Sequence, residues 1–169
     1  MSLKLITIHI GENLLHMAIV NEDPYFVKFL IKHGVDCNQR CTGRFFFPDD
    51  QKKRIQETLT TEYPITPVDT NYKGLSYYGE YPLSFAAVLN QEEIVRLLIS
   101  KYADPNKQDS NGNTVLHILI INDNVEMFKL LVESGRCDLT LKNRQNLTPL
   151  TLAAKLARNE VAIFLISIS

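Results

Sequence analysis

Gly112-Asn113-Thr114-Val115-Leu116-His117-Ile118-Leu119-Ile120 packs a turn glycine, a capping hydroxyl and the start of an apolar helix into one short stretch, and the chain repeats that order. The other copies are Gly11-Glu12-Asn13-Leu14-Leu15-His16-Met17-Ala18-Ile19, Gly79-Glu80-Tyr81-Pro82-Leu83-Ser84-Phe85-Ala86-Ala87 and Asn146-Leu147-Thr148-Pro149-Leu150-Thr151-Leu152-Ala153-Ala154. Gly79 and Gly112 lie 33 residues apart, and Gly112 and Asn146 lie 34 apart. A second apolar run follows each copy: Phe26 to Ile31, Ile94 to Ile99, Met127 to Val132 and Val161 to Ile166. The first three runs close on turns at Gly34, Ala103 and Gly135. Glycine at the opening turn supplies a positive φ, and asparagine, as at Asn146, is its commonest substitute. Thr114 and Thr148 stand where a hydroxyl caps a helix, and Pro82 and Pro149 stand in the first helical turn, where proline loses no hydrogen bond. Ala18, Ala86, Ala87, Ala153 and Ala154 are small where neighbouring inner helices must approach closely.

A period of 33 residues with a turn, a short inner helix and a longer outer helix is the ankyrin pattern. The expected fold is therefore an all-α ankyrin-repeat solenoid of four helix-turn-helix repeats, spanning 11–43, 79–108, 109–142 and 143–169, the last truncated. Residues 1–10 read as the remnant of a preceding element, and both ends read as cut, because a free solenoid ends on polar capping faces. His16 and His117 occupy the ankyrin histidine position, whose job is to hydrogen-bond backbone between repeats. The first spacing is 68 residues, and 44–78 carries no second copy of the signature. It holds Pro48, Pro64 and Pro67, the triplet Phe45-Phe46-Phe47 and a charged run from Asp49 to Arg54. It reads as a long finger insertion between the first and second repeats, projecting from the first and not stacking as a fifth. A helix from about Asp50 to Leu59, capped by Asp49, is expected within it.

With 45% hydrophobic and 22% charged residues, 169 residues make one domain with a sizeable core. A net charge of -1 gives no global attraction to nucleic acid or to an anionic membrane. No apolar stretch approaches the roughly 20 residues that span a bilayer, and no secretory signal opens the chain. Cys37, Cys41 and Cys137 are an odd, sparse set that suits a reducing cytosol. No phosphate-cradling glycine loop is present. Cys37, Cys41 and His33 lack the fourth ligand of a structural zinc site, and Cys37 sits at an apolar turn position. No catalytic constellation emerges, so the chain reads as a non-enzyme without cofactor or metal.

Tyr77-Tyr78-Gly79-Glu80-Tyr81-Pro82-Leu83-Ser84-Phe85-Ala86-Ala87, followed by Asn90-Gln91, resembles the fourth ankyrin repeat of vanilloid-type transient receptor potential cation channels. Asp109 to His117 is similar to that family's fifth repeat, Leu147-Thr148-Pro149-Leu150 to its sixth, and the finger opening Gly43-Arg44-Phe45-Phe46 to its long third finger. The regular fifth repeat looks closer to invertebrate members. The resemblance covers essentially 11–169 and implies repeats three to six of the cytosolic domain of a tetrameric, calcium-permeable channel. It implies finger contacts with neighbouring subunits and regulators such as calmodulin on the concave face, with no nucleic acid and with the membrane reached only through the rest of the channel. The family's ATP turn, aromatic-Lys-Gly-Gln, is His9-Ile10-Gly11-Glu12 here, so the nucleotide site is not carried over. A soluble ankyrin adaptor or inhibitor is the alternative, separated from the channel by whether membrane spans follow downstream.

Register assigns the concave-face contacts to the turn tips and inner-helix ends: Glu12, Val20 and Asn21; Glu80, Val88 and Leu89; Asn113, Ile121 and Asn122; and Lys155. The aromatic set Phe45, Phe46, Phe47, Tyr72, Tyr77 and Tyr78 is assigned to partner contacts of the finger, since binding surfaces favour aromatics. Three consecutive phenylalanines cannot share one side of a helix or strand, so at least one is expected to stay accessible.

Overall fold

The computed structural model describes residues 14–41, 48–52, 69–72 and 77–169. The described elements, in chain order, are helices α1 (Leu14–Val20), α2 (Pro24–Lys32), α3 (Asp49–Lys52), α4 (Pro82–Val88), α5 (Glu92–Ser100), α6 (Val115–Ile121), α7 (Val125–Glu133), α8 (Pro149–Lys155) and α9 (Asn159–Ser167). The fold is all-α. The inner helices α1, α4, α6 and α8 stack in that order, and α2, α5, α7 and α9 lie behind them as outer partners. Helix α1 packs directly on α4, so among the described residues no helix pair lies between them.

The inner helices start where the sequence puts caps and prolines. Pro82 and Pro149 open α4 and α8, and the Thr148 hydroxyl accepts from the Thr151 amide at 3.3 Å. Gly79, Gly112 and Asn146 hold φ of 74°, 72° and 61°, as the turn before each helix requires. Each inner helix ends on a residue with left-handed backbone, namely Glu22, Asn90, Asp123 and Ala157. Around it the two closing bonds of a Schellman motif form, as in Asn90 N–H to Ala87 C=O at 3.1 Å and Gln91 N–H to Ala86 C=O at 3.0 Å.

The residue after that turn ties consecutive pairs together. Gln91 Nε2 donates to the Ile19 carbonyl at 2.7 Å, Asn124 Nδ2 to that of Ala87 at 3.3 Å, and Arg158 Nε to that of Ile120 at 3.2 Å. The outer turns carry a second ladder: Asn38 bridges Tyr102 C=O and Asp104 N–H, and Asn106 bridges Arg136 C=O and Asp138 N–H. Between these polar rungs the core runs through Leu15, Ile19, Leu98, Leu116, Leu119, Phe128, Leu131 and Leu152, all essentially without solvent contact. Ala86, Ala87 and Ala153 are fully buried, consistent with close helix approach.

Helix α3 begins at Asp49, one residue earlier than expected, so Asp49 lies inside it and is not its N-cap; Gln51 N–H closes the first turn on Pro48 C=O at 2.9 Å. The rest of the helix expected to Leu59 lies outside the described residues, as do Gly11 and the 1–10 segment.

Candidate functional site

The turn side of the stack carries a buried polar cluster, and the described pieces of 44–78 lie against it. The third turn supplies Asp109, whose Oδ1 accepts from the amides of Asn111 and Asn113, both at 2.9 Å. Asn143 builds the fourth turn in the same way, with Oδ1 accepting from Gln145 N–H at 3.0 Å and Leu147 N–H at 3.1 Å. The Tyr77 hydroxyl donates to Asp109 Oδ2. Asn113 Nδ2 donates to the hydroxyls of Tyr72 and Tyr77 at 3.1 and 3.3 Å, while its Oδ1 accepts from Asn143 Nδ2 at 3.0 Å. Gln51 Nε2 donates to Asn111 Oδ1 at 2.7 Å, and Gln145 Nε2 donates to the Thr70 carbonyl at 2.8 Å. Beside them Arg40 pairs with Glu80 Oε2 and donates to the Ser110 hydroxyl, and Ser110 N–H reaches the same Glu80 oxygen at 3.1 Å.

Burial sets the electrostatics. Glu80 and Asp109 are both buried, and the Arg40 guanidinium pairs with Glu80. Burial, with the Glu80 charge alongside, pushes the Asp109 carboxyl up to about 7. Burial also raises Glu80, against the pull of Arg40. Burial raises the Tyr72 and Tyr77 phenols, so both are neutral donors. The two inner-helix histidines are buried as well, and loss of solvent lowers each to about 4. His117 Nε2 lies 3.0 Å from the Leu147 carbonyl, which can only accept, so the ring proton sits on Nε2. Nδ1 is then free to accept from Thr114 N–H at 3.2 Å. His16 reaches the Glu80 carbonyl one repeat on at 3.2 Å. Both rings thus join backbone of successive repeats, as the sequence pattern expects.

The structure redistributes the expected contact residues. Glu80 and Asn113 are buried, the first by its ion pair with Arg40 and the second by the two phenols, so neither faces an open groove. Asn122 is turned inward, donating to the Tyr77 carbonyl at 2.7 Å. Tyr77 is only 5% exposed, and Tyr72 and Tyr78 are half-buried, Tyr78 stacking on Phe85 with ring centres 5.6 Å apart. These tyrosines fasten their described residues to the stack, and the burial of Tyr77 leaves it no open face for a partner. Val20, Asn21 and Lys155 are exposed, and Val88, Leu89 and Ile121 are half-buried. Val20, Val88, Ile121 and Lys155 are the last residues of the successive inner helices, so they form one row along the stack. Phe45, Phe46, Phe47 and Glu12 lie outside the described residues. Asp109, Arg40 and Gln51 were not singled out by sequence. Asp109 had a signal in sharing its repeat position with Asn143, whereas Arg40 and Gln51 had none. Among the described residues no group of three or more His, Cys, Asp or Glu is placed to hold a metal ion. No helix among them is long and apolar enough to cross a membrane.

Residues 83–169 match a family model of ankyrin repeats in three copies, and residues 11–42 match the single ankyrin repeat. The chain is 37% identical over 153 residues to transient receptor potential cation channel subfamily V member 5 of Rattus norvegicus, covering 85% of this chain and 18% of that protein. It is 34% identical over 165 residues to subfamily V member 4 of the same organism, covering 86% of this chain and 16% of that protein. Over a shorter stretch of 90 residues, covering 47% of this chain and 12% of that protein, it is 52% identical to subfamily V member 6 of Homo sapiens. The chain thus spans less than a fifth of the length of the curated relatives it matches.

Proposed function

The chain belongs to the ankyrin-repeat family, and from that premise we propose that it is the cytosolic interaction domain of a vanilloid-type, calcium-permeable transient receptor potential cation channel. The observation that supports this reading is the similarity to subfamily V channels over 85% of the chain. In this reading the domain lies on the cytosolic face of a membrane that the rest of the channel crosses. It joins neighbouring subunits of a tetramer through the 44–78 finger, with Phe45, Phe46 and Phe47 as the contact. Its concave face takes regulatory proteins of the calmodulin kind along the row Val20, Val88, Ile121 and Lys155. An apolar row ending in one cation suits an amphipathic segment with an acidic end.

The test is expression of the full-length protein in cells that lack endogenous calcium entry, read by whole-cell current and by native-size assembly. A calcium-permeable current from a tetramer supports the reading, and a soluble monomer without current ends it. Val88→Asp with Ile121→Asp then probes the concave row, and an unchanged regulatory response in a folded channel removes that role.

A further inference from the structure

We infer that the Tyr77–Asp109 contact is a proton-controlled latch, holding residues 69–72 and 77–78 against the turns of the second, third and fourth helix pairs. The inference rests on the buried cluster alone and is independent of the channel reading. Asp109 uses one oxygen to build its turn, and Asn143 builds the equivalent turn with an amide. The turn therefore needs no acid. What sets Asp109 apart is its second oxygen, which meets the Tyr77 hydroxyl.

The groups facing Asp109 come from every neighbouring piece of chain. Glu80 comes from the second turn, Arg40 from the end of the first repeat, and Tyr72 and Tyr77 from the strapped segment. Asn111, Asn113, Asn143 and Ser110 lie around it; Arg144 bonds the Ser110 carbonyl at 3.2 Å, and His117 is engaged by Thr114 and Leu147. From α3, Asp50 accepts from the Thr70 hydroxyl and the Asn71 amide, both at 2.9 Å, and its charge also acts on Tyr72. Among the described residues, one guanidinium against two carboxylates leaves a buried negative charge unmatched whenever both acids are ionised. With one proton aboard, Arg40 and Glu80 balance and Asp109 is neutral. The oxygens of Asp109 and Tyr77 share a hydrogen bond in either state; what changes is the charge beneath the tyrosines. An unmatched buried carboxylate is relieved by admitting water. Among the described residues the phenols of Tyr72 and Tyr77, with ring centres 5.8 Å apart, cover this side of the cluster together with Gln51 of α3. In the latch, lifting the phenols admits water to Asp109. Burial beside the Glu80 charge pushes the carboxyl up to about 7, which is where the change is expected.

The experiment is amide hydrogen exchange on the 169-residue chain between about pH 5.5 and 8.5, expressed as protection factors so that the intrinsic pH dependence cancels. Protection at 69–72 and 77–78 is expected to fall at least about tenfold as pH rises through neutrality, while the amides of α4 and α6 stay protected. Asp109→Asn, which keeps the turn as Asn143 does, is expected to give a pH-independent profile. Carboxyl carbon chemical shifts of the unsubstituted chain report Asp109 directly, whether or not the variant folds, and are expected to titrate near neutrality. A flat profile in the unsubstituted chain overturns the latch. So does an unchanged pH dependence in the variant, or a carboxyl midpoint in the ordinary range near 4.

Discussion

A methyl group on Gly112 would sit 2.7 Å from the backbone nitrogen of Arg144, whereas one on Gly135 would meet nothing within 4 Å. The two glycines hold almost the same backbone, φ 72° and 71°, so the left-handed strain of an alanine is alike at both. Gly135→Ala is therefore expected to cost about 1–2 kcal/mol and Gly112→Ala about 1–3 kcal/mol more, because the next repeat's backbone must move. Urea unfolding of the two variants checks the difference, and equal losses would mean that the fourth turn yields freely. Ala157 is the converse case, an exposed residue at φ 55° where the equivalent positions hold Asn90 and Asp123. Ala157→Asn is expected to stabilise by about 0.5–1 kcal/mol, visible as a raised melting temperature; no change would show that Ala157 bears no strain. Positions of this kind are legible from sequence because the repeat prints them several times over. The chemistry of Asp109 is not, because an Asp beside an Asn at one repeat position reads only as a turn. Its charge environment comes from Glu80, itself paired with Arg40, and both are distant in the chain.

Helix pairs are held in register by side chains that donate across the gap, so an element's stability depends on its neighbour. Asn124 shows this twice over: its Oδ1 accepts from Met127 N–H at 3.3 Å to cap α7, and its Nδ2 reaches the Ala87 carbonyl and Asn90 Oδ1. Asn124→Ala removes a cap and an inter-repeat tie together, at an expected cost of about 1–3 kcal/mol. Hydrogen exchange should show α4 and α7 loosening jointly, and a loss confined to α7 would reduce Asn124 to a simple cap. The helices themselves were readable from periodicity, proline and cap residues, since those signals act within a few residues. The 44–78 segment yielded its composition but not its placement. Gln51, Thr70 and Tyr77 find partners at Asn111, Gln145 and Asp109, which no local pattern links to them. Tyr77, expected at a partner surface, is instead drawn onto the stack, because buried turn polar groups demand donors from somewhere.

Across the molecule two sets of buried titratable groups act on stability in opposite directions as pH changes. His16 and His117 have folded values near 4 against about 6.5 for the free side chain, so each favours the folded chain above 6.5 and withdraws that support as pH falls toward 4. Asp109 is raised from 3.8 to about 7, so the folded chain binds a proton there that the unfolded chain has lost. Its destabilising effect is full above 7 and disappears as pH falls toward 4, and Glu80 is displaced in the same direction. Between pH 7 and 5 each histidine withdraws up to about 2 kcal/mol, while Asp109 returns up to about 2–3 kcal/mol. The unsubstituted chain is thus expected to have a shallow stability profile over that interval. Asp109→Asn removes one compensating acid and leaves the histidines opposed by Glu80 alone. The variant should match or exceed the unsubstituted chain at pH 8 and then lose stability more steeply by up to about 2–3 kcal/mol on the way to pH 5. Urea midpoints at pH 5, 6, 7 and 8 for both proteins decide the matter. Parallel profiles would show that Asp109 is already ionised in the folded chain at pH 5, with the buried cluster balanced by a charge other than Arg40.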